Sequence, residues 1–289
     1  MQENGAAPRR AAFEPIASPE EIPDYSLVPL QDPQGGPATE YRGVRREDTG
    51  TIVSVVSRRY GLVGHREVAQ AIARIGAALE RPSEGSLGPG FPRESIRLYA
   101  GGRRMEIKLV VGRRFRLGDG EELYPGLRLM NSLDGSWAVR LSGFAVRLAC
   151  QNQLYAEQGN VTEWRELHRA TGTDLMAELT VAIHRFLGSF HEGLGLYVRA
   201  MHEEILAAEV DPALQAEGLP ARHAGTIGAR VEAQASHVAA LSRWAAYQTA
   251  TAYLTREVVV GPDREREFER GAARALLRAT IPSRGAAPA

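Results

Sequence analysis

R-E-S-I-R-L-Y-A-G-G-R-R-M-E-I-K-L-V-V-G-R-R-F-R (93–116) and Y-P-G-L-R-L-M-N-S-L-D-G-S-W-A-V-R-L-S-G-F-A-V-R-L-A-C-Q-N-Q-L-Y (124–155) are the stretches that decide the fold. Apolar residues alternate in them with basic or small ones at a period of two, and glycine-containing turns interrupt the runs. That is the pattern of a half-buried antiparallel sheet. It predicts strands near 95–100 and 103–111 around the turn at Gly101 and Gly102. Further strands are expected over 125–131 and 136–149 around S-L-D-G-S, with Gly143 as a bulge or bend.

Outward from this meander, Y-R-G-V-R-R-E-D-T-G-T-I-V-S-V-V-S-R-R-Y (41–60) reads as a hairpin turned at E-D-T-G. Val68, Ile72, Ile75 and Leu79 then fall at helical spacing, which predicts an amphipathic helix over 65–80 packed on the sheet. Residues 81–92 are a Pro- and Gly-rich connector. After Cys150 the period changes from strand to helix. The reading is a helix capped at Thr162 and running to about 209, weakened at Gly188, Gly193 and Gly195. A connector follows, then helices over 226–257 and 263–279. The expected fold class is therefore α+β: an antiparallel β-meander packed with helices, followed by a long α-helical C-terminal half. The expected organisation is a disordered acidic, Pro-rich arm at 1–40 and a basic sheet region at 41–160. A helical region at 161–280 packs on that sheet, and the tail at 281–289 frays.

The 289 residues carry equal numbers of basic and acidic side chains, but unevenly. Residues 1–40 have a net charge of −5, residues 41–150 of +8 and residues 151–289 of −3. A basic sheet between acidic flanks suggests a surface that faces a polyanion. No apolar run is long enough for a membrane span, and the N-terminus lacks the layout of a signal peptide, so a cytoplasmic protein with no membrane partner is expected. Cys150 is the only cysteine, which excludes intrachain disulfides and cysteine-based metal clusters.

N-S-L-D-G-S-W-A-V-R-L-S-G-F-A-V-R-L-A-C-Q-N-Q-L, followed about a hundred residues later by S-R-W-A-A-Y-Q-T-A-T-A-Y-L-T, resembles the phage/plasmid-like proteins classed as domain of unknown function 932. R-E-D-T-G-T-I-V-S-V-V-S-R-R-Y-G-L-V resembles the N-terminal hairpin of that family, so the resemblance covers roughly residues 41–260. Gln248 departs from it, standing where the family pattern has Asn. The resemblance implies a mobile-element setting and brings no catalytic residues with it. By analogy of shape, a basic β-meander backed by a helix is shared with single-strand annealing proteins of the RecT, Red-beta and Erf class.

The candidate nucleic-acid contacts are Arg58, Arg59, Arg103, Arg104, Lys108, Arg113, Arg114, Arg116, Arg140 and Arg147. Phosphates need repeated cationic donors, and a strand can supply one at every second position of a face. Tyr99, Phe115 and Trp137 are interleaved with them and are the candidates for base stacking. A solvated basic face with those aromatics in the core is the competing reading. Whether the cations share a face depends on strand register, which sequence leaves open. No G-x-x-x-x-G-K-[ST] loop is present. Cys150 has no histidine close by in sequence to activate it, and His184, His191 and His202 lack metal-ligand spacing. No catalytic residue, metal or cofactor is therefore expected. The sequence points to ATP-independent binding of single-stranded DNA, with strand annealing as its extension and self-association implied by the annealing analogy. The alternative is a non-catalytic interaction protein that binds a replication or packaging partner.

Overall fold

A computed structural model describes residues 13–32, 35–79, 94–111, 114–117, 122–147, 153–155, 163–166, 175–236, 241–258 and 260–277. In chain order they form β1 (Phe13–Ile16), a 3-10 turn (Pro19–Glu21), β2 (Tyr25–Gln31), β3 (Pro37–Arg46), β4 (Ile52–Ser57), α1 (His65–Ala78), β5 (Glu94–Tyr99) and β6 (Arg104–Val110). Then come β7 (Phe115–Arg116), β8 (Glu122–Ser132), β9 (Val139–Arg147), β10 (Gln153–Tyr155) and β11 (Glu163–Glu166). The helical half consists of α2 (Leu175–His202), β12 (Glu204–Ile205), α3 (Ala207–Ala216), α4 (Ala221–Ala235), β13 (Leu241–Ser242), α5 (Arg243–Arg256) and α6 (Pro262–Leu277). The fold is α+β, as the alternation and its change of period predict. No helix among the described residues is long and apolar enough to cross a membrane.

The main sheet is antiparallel, with strand order β1-β5-β6-β8-β9-β10; β7 also pairs with β8, and β11 with β9. The turn between β5 and β6 has Ala100, Gly101 and Gly102 all at positive φ, the conformation that two glycines make accessible. Register then assigns the faces. Ile107 lies opposite Leu129, and Leu129 opposite Leu141, so Met105, Ile107, Leu109, Leu127, Leu129 and Leu141 line one face. All six are buried in the large core cluster, together with Val68 and Ile72 of α1 and Ile183 and Phe186 of α2. Each such side chain contributes about 1.5–3 kcal/mol by leaving water. The same cluster continues through α3 to α6, so sheet and helices share one core. At the start of α1, His65 is fully buried between Asn131 and the Gly102 carbonyl, at 3.0 and 3.1 Å, which ties that helix to the sheet.

A second sheet, β2-β3-β4, packs its inner face through Val44, Val56, Tyr60 and Leu133. This corrects the reading of 1–40 as an unstructured arm: residues 13–31 supply β1 and β2. What outweighs their low apolar content is backbone pairing of β1 with β5 and of β2 with β3. Three further expectations fail in the helical half. Residues 163–166 are a strand beside β9, whereas a helix was expected there. The 211–220 connector is partly helical, because α3 holds Pro212 within its first turns. The 226–257 helix is two helices, separated where β13 pairs with β12. The glycine-weakened helix nevertheless runs unbroken over Leu175–His202, since packing outweighs a cost of about 1 kcal/mol per glycine. The 81–92 connector, Thr162 and the 281–289 tail lie outside the described residues.

Gly143 is also not a bulge. The β8–β9 register runs without interruption from Leu123↔Arg147 to Met130↔Arg140. What demands glycine is space, because a Cβ there would sit 1.7 Å from the Phe186 ring of α2. Gly143→Ala is therefore expected to lower stability by about 1–3 kcal/mol through overpacking. In urea unfolding, Phe186→Leu should relieve part of that loss; strictly additive effects would contradict the close approach.

Candidate functional site

The opposite face of the main sheet carries the charge. Arg97 pairs with Glu106, Lys108 with Arg128, Arg128 with Ser142, and Met130 with Arg140. The register thus puts Arg97, Arg104, Lys108, Arg128 and Arg140 on one face. The middle of this face is buried. Arg128, at 3% exposure, meets three carboxylates: Glu269 at 3.0 Å, Glu265 at 3.3 Å and Glu106 at 3.3 Å. Lys108 Nζ lies 2.9 Å from Glu265, and the Tyr99 hydroxyl donates to Glu106 at 3.2 Å. Glu265 and Glu269 are four residues apart on α6, hence one above the other on the helix surface. At the N-terminus of that helix, Asp263 accepts the Trp137 indole N–H at 2.7 Å.

Burial alone would raise the Glu265 carboxyl, but the Lys108 and Arg128 charges beside it outweigh burial and pull it from 4.5 down to about 2. Burial pushes the Glu269 carboxyl up, and the Glu265 charge adds to that against the pull of Arg128. Burial likewise raises the Tyr99 phenol, with Glu106 adding to it. Each carboxylate in this network is engaged by a cation of the sheet. Among the described residues, no group of three or more His, Cys, Asp or Glu side chains could hold a metal ion.

The predicted contacts on the main sheet separate into three places. Arg103, Arg104, Arg140 and Trp137 lie at the end of the sheet with the β5–β6 and β8–β9 turns. Arg103 is exposed, while Arg104 stacks 5.0 Å over the Trp137 ring and lies 3.5 Å from Asp134. Lys108 is in the buried middle. Arg114 and Arg116 are at the other end, both exposed and both paired with Glu122 at 3.1 and 3.2 Å. Since β6 rises about 3.3 Å per residue, roughly 20 Å separates the two ends. Arg147 closes β9 opposite Leu123, whereas Arg113 and Cys150 lie outside the described residues. Two of the three stacking candidates are core residues: Tyr99 is 8% and Trp137 4% exposed. Phe115 is half-buried against Phe190.

Arg58 and Arg59 stand elsewhere. They are exposed just after β4, and neither makes an ion pair among the described residues. The turn that carries them is held from beneath, where Arg42 donates to the Arg58 and Tyr60 carbonyls at 2.5 and 3.0 Å. The Arg58 N–H bonds the Glu40 carbonyl at 2.8 Å. In the next pair Tyr41, 56% exposed, lies opposite Ser57, the residue that precedes the two arginines in the chain. Val55 and Ile52, at 57% and 42% exposure, continue this open outer face. Sequence reading missed Tyr41, whose exposure depends on which face of β3 is covered. It also missed Arg128, Glu265 and Glu269; their signal was a charge at an apolar-strand position and an i, i+4 acidic pair on an otherwise apolar helix face.

A family model described as a domain of unknown function, DUF932, matches residues 52–277. The chain belongs to that family. No curated protein and no solved structure matches the chain. The DUF932 match takes in β4, the charged sheet face and the whole of α6, so the buried network lies entirely within the family's domain.

Glu265 supplies the most direct check of that network. Glu265→Gln is expected to cost about 3 kcal/mol or more at pH 7, because it leaves buried cations undercompensated. The folded-state value of Glu265 is depressed, so its contribution is complete above pH 4.5 and is lost as the pH falls towards about 2. Chemical denaturation across that range should show the gap between variant and wild type closing. A difference that does not change with pH would contradict the assignment.

Proposed function

We propose that this DUF932 chain binds single-stranded nucleic acid without nucleotide hydrolysis, on the outer face of the β2-β3-β4 sheet. Arg58 and Arg59 contact phosphates, and Tyr41 stacks on a base. The observation that carries this reading is an exposed aromatic residue paired with the strand residue that precedes two solvent-facing arginines, on a turn pinned by Arg42. Stacking on a strand-borne aromatic is tolerant of sequence and strengthens binding by about 1–3 kcal/mol per base. Arginine on a fixed turn supplies planar donors for phosphate oxygens. Arg103 is a further exposed cation, at the β5–β6 turn. Single-stranded DNA is the proposed ligand in a phage or plasmid setting, with annealing by a self-associated, cytoplasmic form as the extended activity.

The exposed Ile52 and Val55 favour a second reading, a non-catalytic interaction protein that docks a replication or packaging partner on the same face. Salt separates the two, because phosphate contacts release counterions and an apolar interface does not.

Fluorescence anisotropy of a labelled oligothymidine at two salt concentrations tests the proposal. Wild type should bind at low salt and weaken steeply with added salt. Arg58→Ala combined with Arg59→Ala should reduce the log–log salt slope by about 1.4, the share of two single-strand phosphate contacts. Tyr41→Ala should weaken binding about tenfold with the slope retained. Absence of binding by wild type at low salt, or binding indifferent to all three substitutions, would sink the reading.

A further inference from the structure

We propose that the N-terminal half of α6 is a displaceable lid over a second phosphate-binding track, formed by the sheet face that carries Arg97, Arg104, Lys108, Arg128 and Arg140. This deepens the nucleic-acid reading above and rests on it. Along that face β5, β6, β8 and β9 carry these five cations and, short of their far end, one carboxylate, Glu106. At the far end Arg116 already faces Glu122. The balancing anions come from outside the sheet, as Glu265 on Lys108 and Arg128 and Glu269 on Arg128. These two carboxylates stand about 6 Å apart along the helix axis, a row of anions laid on a row of cations. A nucleic-acid backbone presents the same chemistry, so it can replace the helix charge for charge.

The two halves of α6 are held differently. Its C-terminal half is anchored by apolar packing of Ala272, Ala273, Leu276 and Leu277, and by Arg243, whose guanidinium lies 3.5 and 3.4 Å from the Ala275 and Leu276 carbonyls. Its N-terminal half meets the sheet through Asp263, Glu265 and Glu269, by a hydrogen bond and ion pairs, and has a single side chain in the apolar core, Phe268 against His223. Gly261, exposed and with open space around its Cα, precedes the first turn. A polyanion competes with the ionic half and leaves the apolar half in place. The helix then lifts from its N-terminus and pivots about its C-terminal end. Binding on the Tyr41 platform would thereby extend onto the main sheet, lengthening the site.

Hydrogen exchange of the wild-type protein with and without saturating oligothymidine, together with anisotropy of Glu265→Gln/Glu269→Gln, tests the lid. Amides of residues 262–269 should exchange at least tenfold faster in the complex, with residues 270–277 unchanged. The double Gln variant should bind at least tenfold more tightly at low salt, with a steeper salt slope. Unchanged or slowed exchange over 262–269 would overturn the lid, and it decides the matter on wild type alone if the variant does not fold. Tyr41→Ala/Arg58→Ala/Arg59→Ala keeps the two proposals apart. If that variant loses binding while the Gln variant does not tighten it, the platform stands and the lid fails. Tightening by the Gln variant with no loss from the triple variant would leave the lid standing and remove the platform. If neither wild type nor the Gln variant binds, both are overturned.

Discussion

A guanidinium buried at 3% exposure among three carboxylates is the constraint on which the rest of the molecule depends. Removing Arg128 from water costs several kcal/mol, and only close, well-formed pairs offset it. One of its partners, Glu106, is local to the sheet; the other two arrive from more than 130 residues away in sequence. The main sheet therefore cannot bury its charged face without α6. Placing α6 in turn fixes α3 and α5, against which it packs. Apolar contacts tolerate small slips, whereas an ion-pair network of this kind is satisfied in one register, so it selects a single docking of the helical half. The other face of the same sheet is filled by aliphatic side chains, α1 and α2, in an ordinary close-packed core.

That division of labour bears on function. The excess positive charge of the middle third has two fates: part is neutralised inside the fold, and part stands in solvent at Arg58, Arg59 and Arg103. Net charge over a stretch of sequence counts both alike, although only the second is available at once to a ligand. On the β2-β3-β4 sheet an exposed aromatic, Tyr41, pairs with the residue that precedes the exposed Arg58 and Arg59. The opposite-face cations become a ligand surface only if the helix that covers them moves.

Period-two alternation and the G-G and E-D-T-G turns were legible because each strand of the meander has one aliphatic face and turns tightly. The α1 helix was legible for the same reason, its apolar stripe at Val68, Ile72 and Ile75 being complete within one element. Part of what failed depended on partners distant in sequence: β1 is held by β5, about eighty residues further on, and β11 by an edge of β9, whereas β2 pairs with the next strand, β3. Gly143 looked like a bulge because the ring of Phe186 that explains it lies 43 residues further along the chain. Among the predicted contacts Arg58, Arg59 and Arg103 are exposed, while Lys108, Tyr99 and Trp137 are buried. Alternation identifies two faces but not which of them is covered, and here both faces of the main sheet are.

The ion pairs between Arg128 and α6 specify how the two halves join. A double-mutant cycle on Arg128→Met and Glu269→Leu, followed by urea unfolding at pH 7, measures it most directly. Each single substitution should destabilise strongly by stranding a buried charge, and the pair should recover about 2 kcal/mol or more of the summed loss. Additivity within about 0.5 kcal/mol would mean that the two residues do not act on each other, and that the helical half is held by apolar packing alone.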